Sequence, residues 1–158
     1  MFTPHSLMIQ QIFGDSNALY QIPRYQRPYR WIDDQVEKLW DDLYEAFQEG
    51  TENYFLGSII LAADNIKSAY YDVVDGQQRL TTLTILLCVI RDLFPNLNQN
   101  NSDLNPKTIT HSTILNSILF NGLHNRLITH PQHQMDFDTL IVKGDTLNLF
   151  KPSKEVTV

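Results

Sequence analysis

The sequence predicts an α+β fold, a small mixed or antiparallel sheet packed with helices. Three observations carry this expectation. Residues 54–62 and 69–74 read as two strands around a turn, residues 33–47 repeat apolar side chains at helical spacing, and residues 80–94 form a longer helix that is apolar on nearly all sides. The chain has 158 residues, 42% of them hydrophobic, which suits one globular domain with its own core.

In chain order, residues 6–13 (SLMIQQIF) predict a short helix with Ser6 as its cap. Residues 18–23 (ALYQIP) predict a short strand, which Pro23 confines to an edge or to a strand end. A turn dense in arginine and aromatics, RYQRPYRW, follows. The amphipathic helix from Asp33 to Phe47 places Val36, Leu39, Trp40, Leu43 and Phe47 on one face, with Asp34 and Glu37 as a capping box and Gly50 as the stop. Tyr54 to Ala62 and Ala69 to Val74 then pair as an antiparallel hairpin through the Asp64-Asn65 turn. The second strand runs through Asp75-Gly76-Gln77-Gln78-Arg79 into a central buried helix, Leu80 to Phe94, ended by Pro95. Residues 1–95 thus form the core and residues 96–106 a polar, Asn-rich exposed loop. Residues 107–158 complete the same domain, with a helix at 111–120, a strand at 125–129 and a segment at 136–142 that reads as either. The last residues supply no closing element, as in a chain cut from a longer protein.

Composition narrows the function. The net charge of −6 argues against a domain coated in positive charge for nonspecific grip on nucleic acid, so anion binding, if present, is local. The single cysteine, Cys88, excludes an internal disulfide and predicts a reducing, cytoplasmic compartment. MFTPHSLMIQQ has no basic stretch followed by a long apolar run, so no secretory signal is expected. Leu80 to Phe94 is broken by Thr81, Thr82, Thr84, Arg91 and Asp92 and falls short of the roughly 20 apolar residues of a spanning helix.

The order strand, DGQQR, helix is the main candidate site. A helix that begins after a tight turn presents unpaired N–H groups and a partial positive charge, which together attract phosphate. Gly76 permits an unusual backbone angle and a close ligand. Arg79 can grip phosphate oxygens bidentately. Gln77 and Gln78 can bond a water, ribose or base, and Thr81 and Thr82 offer hydroxyls from the first turn. Asp75 can position Mg²⁺ or an attacking water. By itself such a strand-Asp-Gly-turn-helix is more often a structural turn, in which Asp75 merely caps the helix. The segment at 22–31, with Arg24, Tyr25, Gln26, Arg27, Tyr29, Arg30 and Trp31, adds aromatic faces for a base and arginines for phosphates, or else a lid on the core with solvated charges.

IPRYQRPYRW at 22–31, NYFLGSIIL at 53–61 and VVDGQQRLTTL at 73–83, in this order and with the amphipathic helix between the first two, resemble the N-terminal, GmrS-type domain of GmrSD restriction endonucleases. RLITHPQHQMDFDTLI at 126–141 is a weaker match, and the resemblance is good over about 6–94. It implies a ParB/sulfiredoxin-like fold. It also implies binding and hydrolysis of a nucleoside triphosphate, whether GTP, UTP, CTP or ATP, with Mg²⁺. That activity is coupled to recognition or cleavage of modified foreign DNA in anti-phage defence. Carried onto this chain, Asp75, Gln78 and Arg79 are the expected catalytic residues, and Tyr25, Gln26, Arg27, Gly76, Gln77, Thr81 and Thr82 the nucleotide contacts. Modified DNA and an HNH-type nuclease domain or subunit are the implied partners, with no membrane involved. No HNH segment is visible here. His124, His130 and His133 read as surface histidines, Cys88 as a buried structural thiol, and Asp41, Asp42 and Glu45 as a solvated helix face.

Three functions compete. The first is an NTP-hydrolysing domain that powers or gates DNA restriction. The second is a non-catalytic module switched by nucleotide or DNA. The third is a ParB-like nuclease, disfavoured because paired metal-binding carboxylates are not evident.

Overall fold

The structure, a computed structural model, describes residues 3–98 and 109–144. The observed class is the expected one, α+β with a small mixed sheet. Helix α1 (Ile9–Gly14) leads to strand β1 (Leu19–Gln21), then α2 (Asp33–Gln48), β2 (Ile60–Ala63), β3 (Tyr70–Asp75) and α3 (Gln77–Leu93). Beyond come α4 (His111–Ile118), β4 (Leu119–Phe120), β5 (His124–Asn125), β6 (Leu127–Ile128), α5 (Gln134–Asp136) and a π-helical stretch, Phe137–Val142. The main sheet has the order β2-β3-β1-β6, and β4-β5 form a separate ribbon.

β2 and β3 are the antiparallel hairpin expected from the sequence, with a bulge between Ile60 and Leu61. β1 lies inside the sheet, parallel to both β3 and β6. Pro23 is therefore compatible with an interior strand because it falls after the last residue of β1, past the ladder. The three parallel strands direct their C-terminal ends to one side, and that side collects the segment at 22–31 and the DGQQR turn. Val73, Leu80, Ile118 and Leu127 are fully enclosed, and Phe13 and Phe137 close the core around them.

Several expected boundaries move. Ser6 does not cap α1, which starts after Met8, where the Gln11 side chain accepts from the Met8 N–H at 2.7 Å. Asp34 does not cap α2: the cap position is Ile32, whose N–H is taken by the Gln35 side chain at 2.9 Å. Gly50 does end α2. At φ 67° it lets the Thr51 N–H reach the Ala46 carbonyl at 2.9 Å, a left-handed stop that glycine adopts freely. The expected strand from Tyr54 starts only at Ile60, because Gly57 turns the backbone to φ 103° and residues 54–59 run outside the sheet ladder. α3 starts at Gln77 rather than Leu80, directly after Gly76. The segment at 111–120 divides into α4 and β4, the strand at 125–129 shortens to Leu127–Ile128, and the ambiguous 136–142 is helical. The loop expected at 96–106 falls largely outside the described residues, as does the tail from residue 145. No helix among the described residues is long and apolar enough to cross a membrane.

Candidate functional site

α3 begins with an open end. Its N-cap is Gly76, at φ 83°, and among the described residues no side chain caps the first turn. Asp75 is exposed and does not cap, so the structural role open to it in the sequence is not the one it takes. A Cβ on Gly76 would lie 2.9 Å from the Ser58 carbonyl oxygen and 3.0 Å from Ile59 Cγ1. Glycine is thus required twice, for its backbone angle and for the close approach of the 58–59 backbone.

In front of this end lies a polar cleft of about 420 Å³. Gln26, Arg27 and Trp31 wall it on one side, and Asp75 to Arg79 form the floor, with Ser58 at the edge. Arg79 donates from Nη1 to the Ser58 carbonyl at 3.2 Å. Its guanidinium lies over Gly57, where a Cβ would sit 2.6 Å from Cζ. Among the described residues neither Arg27 nor Arg79 forms an ion pair. Two guanidinium groups therefore flank an uncapped helix N-terminus with no carboxylate bonded to either, and their fields add to the helix dipole.

The glutamines of the motif hold the arginine-aromatic segment in place. Gln78 is buried, and its Oε1 accepts from the Arg30 N–H at 2.7 Å and the Trp31 N–H at 3.2 Å. Its Nε2 donates to the Pro28 carbonyl at 3.2 Å. Gln77 donates from Nε2 to the Arg27 carbonyl at 3.0 Å, and its Oε1 is buried with no hydrogen-bond partner among the described residues. Such an atom stays under-satisfied until a donor arrives. Three further bonds tie the segment down: Gln26 Nε2 to the Val74 carbonyl at 3.1 Å, Tyr29 with Thr82 hydroxyl to hydroxyl at 2.9 Å, and His130 to the Arg24 carbonyl at 3.2 Å. His130 Nδ1 accepts from the Gln132 N–H, so Nε2 carries the proton and donates.

The structure does not bring every expected residue to the cleft. Thr81 and Thr82 lie in the second turn of α3, not the first, because the helix starts earlier than its apolar run. Both are buried, and their hydroxyls donate to the Gln77 and Gln78 carbonyls at 2.8 Å. Thr81 instead lines a separate apolar pocket of about 170 Å³ with Ile22, Tyr29, Ile85, Phe137 and Ile141. Tyr25 is 77% exposed and is not among the cleft residues. Gly57 and Ser58 contribute to the site without having been singled out for it, whereas Trp31, one of the aromatic faces expected from the 22–31 segment, does line the cleft. The signal for Gly57 is a glycine interrupting a strand-like run, which marks close backbone approach.

Elsewhere, Cys88 is fully buried, and burial pushes its thiol up to about 12, so it stays protonated and unreactive. Asp41 and Glu45 lie on the exposed face of α2, and Asp42 pairs with Lys38 at 3.1 Å. Among the described residues no group of three or more His, Cys, Asp or Glu side chains could hold a metal ion.

By comparison with known families, this α+β domain, with its polar cleft at the C-terminal ends of parallel strands, is a component of a restriction system. The chain belongs to the family described as GmrSD restriction endonuclease, N-terminal domain, whose model matches residues 9–152. No curated protein matches the chain.

Proposed function

We propose that the chain binds a nucleoside triphosphate in the cleft at the start of α3 and hydrolyses its terminal phosphate, as the nucleotide-driven part of a restriction system. The observation that carries this reading is the meeting of an uncapped helix N-terminus with Arg27 and Arg79, neither ion-paired among the described residues, in one polar cleft. Phosphate groups satisfy orphan N–H groups and arginines at once. Arg79 and the N–H groups of the first turn stabilise charge that develops on the transferred phosphoryl group. Asp75, the carboxylate on the cleft, orients the attacking water. Mg²⁺ arrives with a triphosphate and needs only one or two carboxylates from the protein, so Asp75 is the residue that would meet it. Trp31 offers a face for the base, and the orphan Oε1 of Gln77 offers an acceptor for a base or ribose donor.

The test is phosphate release by the purified chain with each of the four nucleoside triphosphates and Mg²⁺, beside calorimetric binding. Asp75→Asn should slow release by about 10²-fold or more while leaving nucleotide affinity within severalfold, since it removes the group that handles the water. Absence of nucleotide binding by the unmodified chain sinks the reading.

Gly57→Ala tests the seat of Arg79 from the other side. The new methyl group meets the guanidinium at 2.6 Å and strains a backbone at φ 103°. Stability should fall by about 1–3 kcal/mol, and nucleotide affinity should fall with it. Unchanged affinity would mean that the place of Arg79 over Gly57 is irrelevant to the ligand.

A second reading, binding without turnover, is supported by Gln78. Every side-chain hydrogen bond it makes among the described residues goes to residues 28–31, so it holds a loop rather than a water. Nucleotide binding with no phosphate release by the chain alone would favour this switch-like role.

A further inference from the structure

Helix α2 has an aromatic stripe that the described residues leave largely exposed. Val36, Trp40, Tyr44 and Phe47 recur every three or four residues and are 38%, 54%, 51% and 80% exposed. Trp40 and Tyr44 stack on each other, ring centroids 6.4 Å apart, rather than on a neighbouring element. Of the 16 residues of α2 only Leu39 and Ala46 are buried. A helix of this length takes most of its stability from an apolar face packed on something else. A connected exposed stripe of large side chains marks an interaction surface.

Charge decides what can cover it. Between Asp33 and Glu52 the chain has eight carboxylates and one lysine. Asp33, Glu37, Asp41 and Glu45 form a row at four-residue spacing, one step round the helix from the aromatic stripe. Like charges at that spacing destabilise a helix. The single lysine, Lys38, is engaged by Asp42 at 3.1 Å. Such a border repels DNA, anionic lipid and a second copy of the same face, and it attracts cations. We infer that the outer face of α2 docks a partner protein surface that carries lysine or arginine around an apolar patch. This inference is independent of the nucleotide reading, since the stripe shares no residue with the cleft.

The chain has two tryptophans, so Trp31→Phe leaves Trp40 as the sole indole reporter. The probes are two synthetic amphipathic helical peptides with the same apolar face, one with lysine and one with glutamate as its polar residues. The lysine peptide should shift Trp40 emission to the blue and slow amide exchange in α2. Its affinity should fall about tenfold or more as salt is raised from about 50 to about 500 mM. Both Phe47→Ser and the combined Glu37→Gln, Asp41→Asn, Glu45→Gln variant should weaken it about tenfold. The glutamate peptide, and vesicles containing phosphatidylglycerol, should leave the emission unchanged. Equal binding of both peptides, binding to those vesicles, concentration-dependent dimerisation that buries Trp40, or blue emission already present in the free monomer would each overturn the proposal. The triple variant is read for folding by its thermal midpoint, which should rise as repulsion is removed.

Discussion

Arg126→Met should lower the thermal midpoint more than any surface substitution in this domain. Arg126 is 4% exposed, and no carboxylate pairs with it among the described residues. Its guanidinium instead donates to carbonyls from two separate parts of the chain. Nε and Nη2 reach Ser117 at 3.1 Å and Asn116 at 2.9 Å, and Nη2 also reaches Leu119 at 3.4 Å. Nη1 reaches Ala18 at 2.9 Å and also bonds Asp15. The Ser117 and Asn116 carbonyls sit at the end of α4, where the helix dipole is negative, so the helix end takes the place of a counter-ion. The Phe120 ring lies 5.8 Å from the guanidinium carbon and adds a cation–π contact. Burial pulls the Arg126 pKa down, yet an arginine starts high enough to remain charged at neutral pH. Methionine keeps the length and leaves the carbonyls without their donor, at about 1–3 kcal/mol for each that water cannot reach. A net loss of roughly 3 kcal/mol lowers the midpoint of a chain this size by about 6–12 °C. Arg126→Lys should recover part of it, because an ammonium has three donors and no planar fork. Circular dichroism melts of the two variants decide it. A midpoint within about 2 °C of the unmodified chain would mean that water replaces the guanidinium, and the account of a buried cationic hub would be wrong.

The contrast between what was legible in the sequence and what was not follows the range of the forces involved. The hairpin of β2 and β3 and the buried α3 were readable because their signals are local: turn residues at 64–65, then an apolar run after Gly76. The interior place of β1 was not, because it depends on pairing with β3 and β6, the latter more than 100 residues away. No local pattern encodes such a partner. The arginine that joins those regions was equally silent, since Arg126 in sequence is one cation among twelve basic residues. Helical periodicity picked Val36, Leu39, Trp40, Leu43 and Phe47 as the packed face of α2, but of these only Leu39 is buried and Leu43 partly so. Periodicity reports that a face is apolar; it does not report which neighbour covers it. The DGQQR turn was readable as a helix start with a glycine. The division of labour inside it was not. Gln77 and Gln78 turn inward and hold the 27–31 segment, while Arg79 extends to the 57–58 backbone. Polar residues at a helix start look alike in sequence whether they contact a ligand or hold the loop that does.

That division yields the second large effect. On the nucleotide reading, Arg79→Ala should lower phosphate release by about 10²–10³-fold, the loss seen when one preorganised donor to a developing anion is removed. It should do so with little change in stability, within about 0.5–1 kcal/mol, because the one side-chain hydrogen bond Arg79 makes among the described residues is an exposed contact to Ser58. Arg79→Lys should restore little, since a single ammonium cannot reproduce the bidentate grip. Gln78→Ala is the necessary counterpart. It deletes the acceptor for the Arg30 and Trp31 N–H groups and the donor to Pro28, so both the thermal midpoint and nucleotide affinity should fall together. A residue that touches the phosphate and a residue that holds the loop therefore separate on two axes, turnover and stability. If Arg79→Ala releases phosphate within about twofold of the unmodified chain, the guanidinium over Gly57 is a structural clasp between the 57–58 backbone and α3, and the charge stabilisation must come from Arg27 and the helix end alone. If instead both variants lose turnover but only Gln78→Ala loses stability, Arg79 faces the ligand and Gln78 acts through the segment it holds.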